Sequence, residues 1–535
     1  MREEGVLSSL STADHRVSPP QIEIPRDYNA AHDLIERNLA AGRAAKIAYI
    51  DDEGSYTYGE LAERVNRCAN ALVNLGVQPE QRVLLCLLDG IDFPAAFLGA
   101  IKAGIVPVAG NTLLKTRDYE YMLRDSRARA LFVSAPLLPA FAPLMGTLPQ
   151  LEHVIVAGGD PGPHASLAQL MAAAARTFDP ADTTRDDVCF WLYSSGSTGA
   201  PKGTVHLHSS PIETAELYAK PILGIREDDV VFSAAKLFFA YGLGNALTFP
   251  LSVGATTVLM AERPTPQAVF ARLRRHQPTI FYGVPTLFAA LLASPDLPSR
   301  GEVRLRCCTS AGEALPAGIG KRWTAHFGTE ILDGLGSTEM LHIFLSNRPG
   351  DVRYGTTGKP VPGYELRIVG DDGMPLPPGE VGELQIDGPT AAIGYWNNRE
   401  KTRATFQGAW TRSGDKYSID ADGCYVYSGR SDDMLKVGGV YVSPIEVEAA
   451  LITHPAVLEA AVIGREDEER LTKPVAFVVL KDGRQGTPAL ADELRQHVKG
   501  ELAPWKYPRW IEFIAELPKT ATGKIQRFKL RAKSA

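Results

Sequence analysis

The stretch VCFWLYSSGSTGAPKG, residues 188–203, joins an apolar run to eleven residues holding three glycines, four Ser or Thr hydroxyls, a proline and a lysine. Glycines let the backbone turn its N–H groups toward an anion, hydroxyls add neutral donors, and Lys202 adds a mobile positive charge. This is the composition of a polyphosphate cradle. Its spacing departs from the commonest such loop, because GxxxxGK[ST] needs adjacent Gly and Lys, whereas two residues separate Gly199 from Lys202. A Walker-type nucleotide hydrolase is thereby disfavoured.

Outward from this stretch, apolar runs at 82–88, 105–109 and 130–133 alternate with helical stretches at 93–103 and 119–126. Further strands are expected at 154–157, 230–233, 279–283 and 304–309. Such alternation predicts an α/β fold of helix-covered, largely parallel sheets. The charge-free run 237–261 is broken by Tyr241, Asn245, Pro250, Ser252 and glycines, so it is expected as a buried helix followed by a strand at 255–260 rather than a membrane span. Near Val361 the texture changes to turn-rich segments such as DDGMPLPPGEVGELQI, which predicts a β-rich subdomain over about 360–430. After Arg430 a helix at 444–453, strands at 457–464 and 474–481 and a helix at 490–502 predict a small α+β domain. The expected organisation is a disordered segment 1–20, a large domain 21–431 and a small mobile domain 432–535.

Composition narrows the function. With 535 residues, 45% of them hydrophobic, the chain can bury large cores. A net charge of −6 and a pI near 6.1 argue against nucleic acid as the main partner. The local exception is 519–535, with six basic residues and no acidic one, which suits contact with a phosphate. Six cysteines (Cys68, Cys86, Cys189, Cys307, Cys308 and Cys424) show no CxxC pair or disulfide-like spacing. With Glu3 and Glu4 near the start and no apolar signal core, a cytoplasmic location is expected. His206 and His208 have no acidic or cysteine partner at metal-binding spacing.

Residues 194–203 match the signature of the adenylate-forming enzymes, the superfamily of acyl- and aryl-CoA ligases, luciferases and peptide-synthetase adenylation domains. The rest of that series follows in order: DGLGSTE (333–339), TRSGD (411–415), GRSDDMLKVGG (429–439) and PKTATGKI (518–525). The resemblance implies ATP, Mg²⁺ and coenzyme A. It assigns Ser194, Ser195, Gly196, Ser197, Thr198, Gly199 and Lys202 to the β- and γ-phosphates, and Gly312, Glu313 and Ala314 to the flank of adenine. Asp333, Gly334 and Leu335 belong to the nucleotide site as well, although many relatives carry Tyr where Leu335 stands. Thr338 would touch the α-phosphate and Glu339 would hold Mg²⁺, while Asp415 would accept from the ribose hydroxyls with help from Arg430. Lys524 would bridge the carboxylate and the α-phosphate, Asp432 would be the hinge, Lys436 would assist thioester formation, and Gly438 and Gly439 would admit the pantetheine arm.

KLFFAYGLGNAL (236–247) and MLHIF (340–344) resemble the benzoate-CoA ligases most. Ala240, Tyr241, Gly336, His342 and Ile343 are the expected lining of a short apolar pocket for a flat ring. The expected substrate is benzoate. Other substituted benzoates or a medium-chain fatty acid, transfer to a carrier protein instead of CoA, and nucleotide binding without catalysis stay open as alternatives. A membrane is not an expected partner, and a homodimer stays open.

Overall fold

Arg82–Cys86 is buried on both faces, as the central strand of a parallel sheet must be, and it lies between Val106–Ala109 and Ala130–Ser134 in parallel register. The structure, a computed structural model, describes residues 10–194, 201–431, 433–437, 440–468, 471–481, 483–502, 506–519 and 525–534. The chain divides into two compact units, one of residues 1–365 and 386–411, the other of 366–385 and 412–535.

In the first unit the expected α/β architecture is present as two large sheets. One runs, in spatial order, Gly394–Tyr395, Lys202–Leu207, Val188–Ser194, Val106–Ala109, Arg82–Cys86, Ala130–Ser134, His153–Ala157 and Ala165–Ser166. The other has a parallel centre, Ile331–Gly336, Cys307–Ser310, Ile280–Gly283, Val230–Ser233, Thr256–Val258 and Ile47–Ile50, with antiparallel strands at both ends. Helices such as Asp92–Lys102 and Pro266–His276 supply apolar faces, and Phe270, Phe281, Phe288 and Trp323 fill one core.

The charge-free run forms Ala240–Leu243, a π-helical turn Gly244–Thr248 and Phe249–Val253, ending at Gly254 with φ 83° before the strand Thr256–Val258. A single extra residue in such a turn re-aims the side chains around it, and π turns are frequent where a helix lines a site.

Residues 10–20 correct the expectation of disorder at the start of the chain. Thr12–Asp14 pairs with Gln21–Glu23. What holds this segment is polar and distant in sequence: the Ser11 hydroxyl donates to the buried Asp33 at 2.6 Å, and His15 Nε2 lies 2.7 Å from the buried Glu216. No local hydrophobic pattern reveals such an anchor.

In the second unit, Trp410–Ile419 pairs with Tyr425–Arg430 in one sheet. Beyond it, Val457–Glu466, Thr472–Leu480 and Trp510–Phe513 form a sheet packed by the helices Pro444–Ile452 and Pro488–Glu501 through Val447, Leu451, Leu494 and Val498. The antiparallel pair and both helices match the expected α+β pattern. The parallel strand Trp510–Phe513 was not expected, because its run is short and half-buried.

Candidate functional site

The phosphate-loop sequence begins and ends on two paired strands. Val188–Ser194 and Lys202–Leu207 pair antiparallel, with Ser194 opposite Lys202 at its open end. Pairing at that end fixes where two of the expected phosphate contacts start. Ser195, Gly196, Ser197, Thr198 and Gly199 lie outside the described residues.

Glu339 meets this strand pair. Ser194 Oγ donates to Glu339 Oε1 at 3.4 Å, and Lys202 Nζ lies 4.0 Å from the same oxygen. The adjacent backbone is held from below, where His206 Nε2 donates to the Thr338 carbonyl at 2.8 Å. His206 stacks on Phe190 with ring centroids 5.2 Å apart, and burial pushes its pKa down to about 4, so it is a neutral positioning group. His208 is likewise buried, and its Nδ1 accepts from the Ala30 N–H.

Glu339 suits a hard cation chemically. It offers one half-buried carboxylate, and its contacts among the described residues all fall on Oε1. A Mg²⁺ ion takes one or two carboxylates and completes its shell with phosphate and water oxygens, so one Glu beside a phosphate loop is an adequate protein share.

Asp333, at the buried end of Ile331–Gly336, has Oδ1 without a hydrogen-bond partner among the described residues, and burial pushes its carboxyl well above the usual range. Leu335 is partly exposed next to it, leaving an aliphatic face where many relatives carry Tyr. Gly312, Glu313 and Ala314 follow the parallel strand Cys307–Ser310, with Gly312 at φ 91°. Loops at the carboxyl ends of parallel strands are where open α/β sheets bind ligands.

The expected acyl-pocket residues from distant motifs adjoin. His342 Nε2 donates to the Tyr241 carbonyl at 3.2 Å, and its ring lies 5.6 Å from the Tyr241 ring and 4.4 Å from that of Phe249. Gly336 is required by this packing, because a Cβ there would fall 2.7 Å from the His342 carbonyl oxygen. Ile343 opens the buried strand Ile343–Ser346, and Ala240 begins the helix that carries Tyr241. The Tyr241 hydroxyl bonds Thr309, and Asn245 is fully buried within the π turn. Sequence reasoning missed Thr309, which lies in no recognisable motif, and named Asn245 only as a polar interruption of the apolar run.

Burial pushes the His342 pKa down to about 3. The unfolded imidazole takes up its proton near pH 6.5 and the folded one far lower, so this residue costs stability progressively as pH falls below 6.5 and nothing above it. His342→Gln removes that cost. Its stability deficit against wild type should shrink by about 2 kcal/mol between pH 7 and pH 5 in denaturant unfolding. A deficit constant across that range would show that the folded ring binds the proton normally.

In the second unit, Asp415 and Arg430 stand opposite each other on paired strands, and Arg430 Nη1 donates to Asp415 Oδ1 at 3.2 Å. Glu383, which no motif singles out, organises this turn by accepting from the Gly414 N–H at 3.1 Å and the Ser431 hydroxyl at 3.0 Å. Gly414 has φ 74°, and a Cβ there would press on the Arg430 guanidinium at 2.7 Å. Lys436 belongs to the strand Leu435–Val437. Its side chain, together with Asp432, Gly438, Gly439 and Lys524, lies outside the described residues.

Comparison with known proteins places this geometry. The family described as AMP-binding enzyme matches residues 36–396, and the AMP-binding enzyme C-terminal domain matches residues 446–524. A benzoate–CoA ligase of Thauera aromatica is 69% identical over 98% of this chain and 100% of its own length. A 4-hydroxybenzoate–CoA/benzoate–CoA ligase of Rhodopseudomonas palustris is 54% identical over 95% of this chain and 94% of its own. Among solved structures, a benzoate CoA ligase from Burkholderia xenovorans LB400 is 60% identical, with a TM-score of 0.88 over 94% of this chain and 99% of that one. An anthranilate CoA ligase in complex with anthranoyl-AMP is 47% identical, with a TM-score of 0.90 over 96% of this chain and 98% of that one. On these matches, which span nearly its whole length, the chain belongs to the AMP-binding enzyme family, the adenylate-forming superfamily.

Proposed function

We propose that this enzyme is an acid–thiol ligase that joins benzoate to coenzyme A. In the first step a benzoate oxygen attacks the α-phosphorus of ATP, forming benzoyl-AMP and releasing pyrophosphate. In the second the CoA thiol attacks the benzoyl carbonyl and AMP leaves, giving benzoyl-CoA. The observation that carries the choice of acid is the apposition of Tyr241 and His342. A neutral imidazole and a phenol, backed by Phe249, form a cluster of rings that suits contact with a flat aromatic acid. The named relatives support it independently, through what they are recorded to act on.

Two anions must meet in the first step, so the chain's task is to supply positive charge and oriented donors. Lys202 and the hydroxyls around it receive the β- and γ-phosphates, Thr338 the α-phosphate, and Asp415 the ribose. Bound at Glu339, Mg²⁺ would offset phosphate charge and favour the departure of pyrophosphate. Lys524 holds the attacking carboxylate against the α-phosphate. In the second step Gly438, Gly439 and Lys436 receive the pantetheine arm after the small domain turns about Asp432. The enzyme works on small molecules in the cytoplasm, where its six free, buried cysteines stay reduced. Among the described residues no helix is long and apolar enough to cross a membrane.

AMP release measured across benzoate, 4-hydroxybenzoate, 2-aminobenzoate and octanoate, each with CoA, tests this reading. Benzoate should give the highest kcat/KM, with octanoate lower by at least about 10²-fold, because clustered rings favour a flat aromatic acid over an extended chain. Preference for octanoate would remove the benzoate assignment, and release of pyrophosphate without any CoA-dependent thioester would remove the ligase assignment.

A further inference from the structure

Tyr395 lies outside the five stretches quoted from the sequence, 193 positions downstream of Lys202. Its hydroxyl donates to Glu339 Oε1 at 2.7 Å. The Lys202 ammonium stands 4.5 Å from the centroid of its ring and donates to the same hydroxyl at 3.4 Å. One phenol therefore contacts both the carboxylate assigned to the cation and the lysine assigned to the phosphates.

Its position is fixed from several directions. Gly394–Tyr395 forms an edge strand against Lys202–Leu207, with Tyr395 opposite Thr204. On either side, the Trp396 N–H donates to the Gly203 carbonyl at 2.7 Å and the Ala392 N–H to the Glu339 carbonyl at 2.8 Å. The same short segment thus clamps the paired strands and the backbone of Glu339. Gly394, at φ 149°, lets the strand pass Thr402, where a Cβ would fall 2.8 Å from the Thr402 methyl. A phenol held this firmly, and almost fully buried, is preorganised rather than incidental.

We propose that Tyr395 is a positioning residue that aims Glu339 at the divalent cation and keeps Lys202 available for ATP. With the phenol in place Lys202 and Glu339 stand 4.0 Å apart, at the outer limit of an ion pair, and without it they would close further and neutralise each other. With it, the hydroxyl occupies Oε1 through a charge-assisted hydrogen bond and leaves Oε2 for the cation, while the ring face holds the ammonium without consuming its charge. The inference rests on the assignment of Glu339 to Mg²⁺.

The test uses the full-length protein with Tyr395→Phe and Tyr395→Leu. ATP binding is titrated calorimetrically at a series of Mg²⁺ concentrations, and Mn²⁺ binding in the presence of ATP is followed by water-proton relaxation. Tyr395→Phe keeps the ring and loses the O–H, so the Mg²⁺ concentration for half-maximal ATP binding and the Mn²⁺ dissociation constant should both rise about tenfold, the usual effect of losing a group that orients a metal ligand. Its ATP affinity without metal should stay within about twofold of wild type, since the ring face that holds Lys202 remains. Tyr395→Leu loses both contacts, and its metal-free ATP binding should weaken as well. Unchanged metal midpoints in both variants overturn the proposal. So does a uniform loss of ATP binding with a lowered melting temperature, which would make Tyr395 merely structural. Wild type without any metal dependence would instead sink the assignment of Glu339, and this proposal with it.

Discussion

Lys524→Ala should lower benzoate-dependent exchange of pyrophosphate into ATP by about 10² to 10³-fold, the usual result of removing one preorganised donor from a charge-developing transition state. Thioester formation from supplied benzoyl-AMP and CoA should stay within a few-fold of wild type. The division follows from the chemistry of the two steps. In the first, a carboxylate approaches a phosphate, and negative charge accumulates on the α-phosphate oxygens where an ammonium has most to offer. In the second, the activated carbonyl is already in place and AMP leaves with no second anion to bring in. The two ends of the motif and the residues after it are tied to their own unit: the backbones of Lys519 and Ile525 form a β-bridge, the Gln526 N–H donates to the Pro518 carbonyl at 2.7 Å, and Arg527 pairs with the buried Glu448 at 2.8 Å. Loss of the Lys524 side chain should therefore leave the melting temperature unchanged. Equal loss of both half-reactions would contradict the assignment of Lys524 to adenylation alone.

The largest structural effect is expected at Gly242, in the helix Ala240–Leu243 that presents Tyr241. A Cβ on Gly242 would fall 2.0 Å from the Lys236 carbonyl oxygen and 2.6 Å from that of Ala235, both backbone atoms. The segment cannot retreat. The Lys236 ammonium donates to the Glu262 carbonyl at 2.7 Å and bonds the Met260 carbonyl, and the Leu237 N–H donates to the buried Asp89 at 3.3 Å. Overpacking against fixed backbone costs about 3 kcal/mol, so in a unit this large Gly242→Ala should lower the melting temperature by roughly 4 °C. The displaced helix carries Tyr241 with it, so the KM for benzoate should rise more than the KM for ATP. Gly301→Ala is the matching control, because a Cβ there meets no atom of the described residues within 4 Å. A Gly242→Ala melting temperature equal to that of the control would mean that the loop yields after all.

Local pattern determined much of this protein. Strands such as Ala130–Ser134 and Val230–Ser233 are short runs of buried apolar residues, and period and turn chemistry alone suffice to mark them. The candidate residues Lys202, Glu339, Asp415 and Lys524 could be singled out because the chemistry proposed for them needs particular residue types at close spacing, and short spacing survives as a readable motif. Where contacts join residues far apart in the chain, only the tertiary structure decided. Tyr395 reaches Glu339 because an edge strand returns to the paired strands, and Glu383 braces Gly414 and Ser431 from another strand of its sheet. The pairing of His342 with Tyr241, and the anchoring of Ser11 on Asp33, likewise come from chain crossings. A hydrogen bond between residues distant in sequence leaves no periodicity behind, so no local pattern announces it.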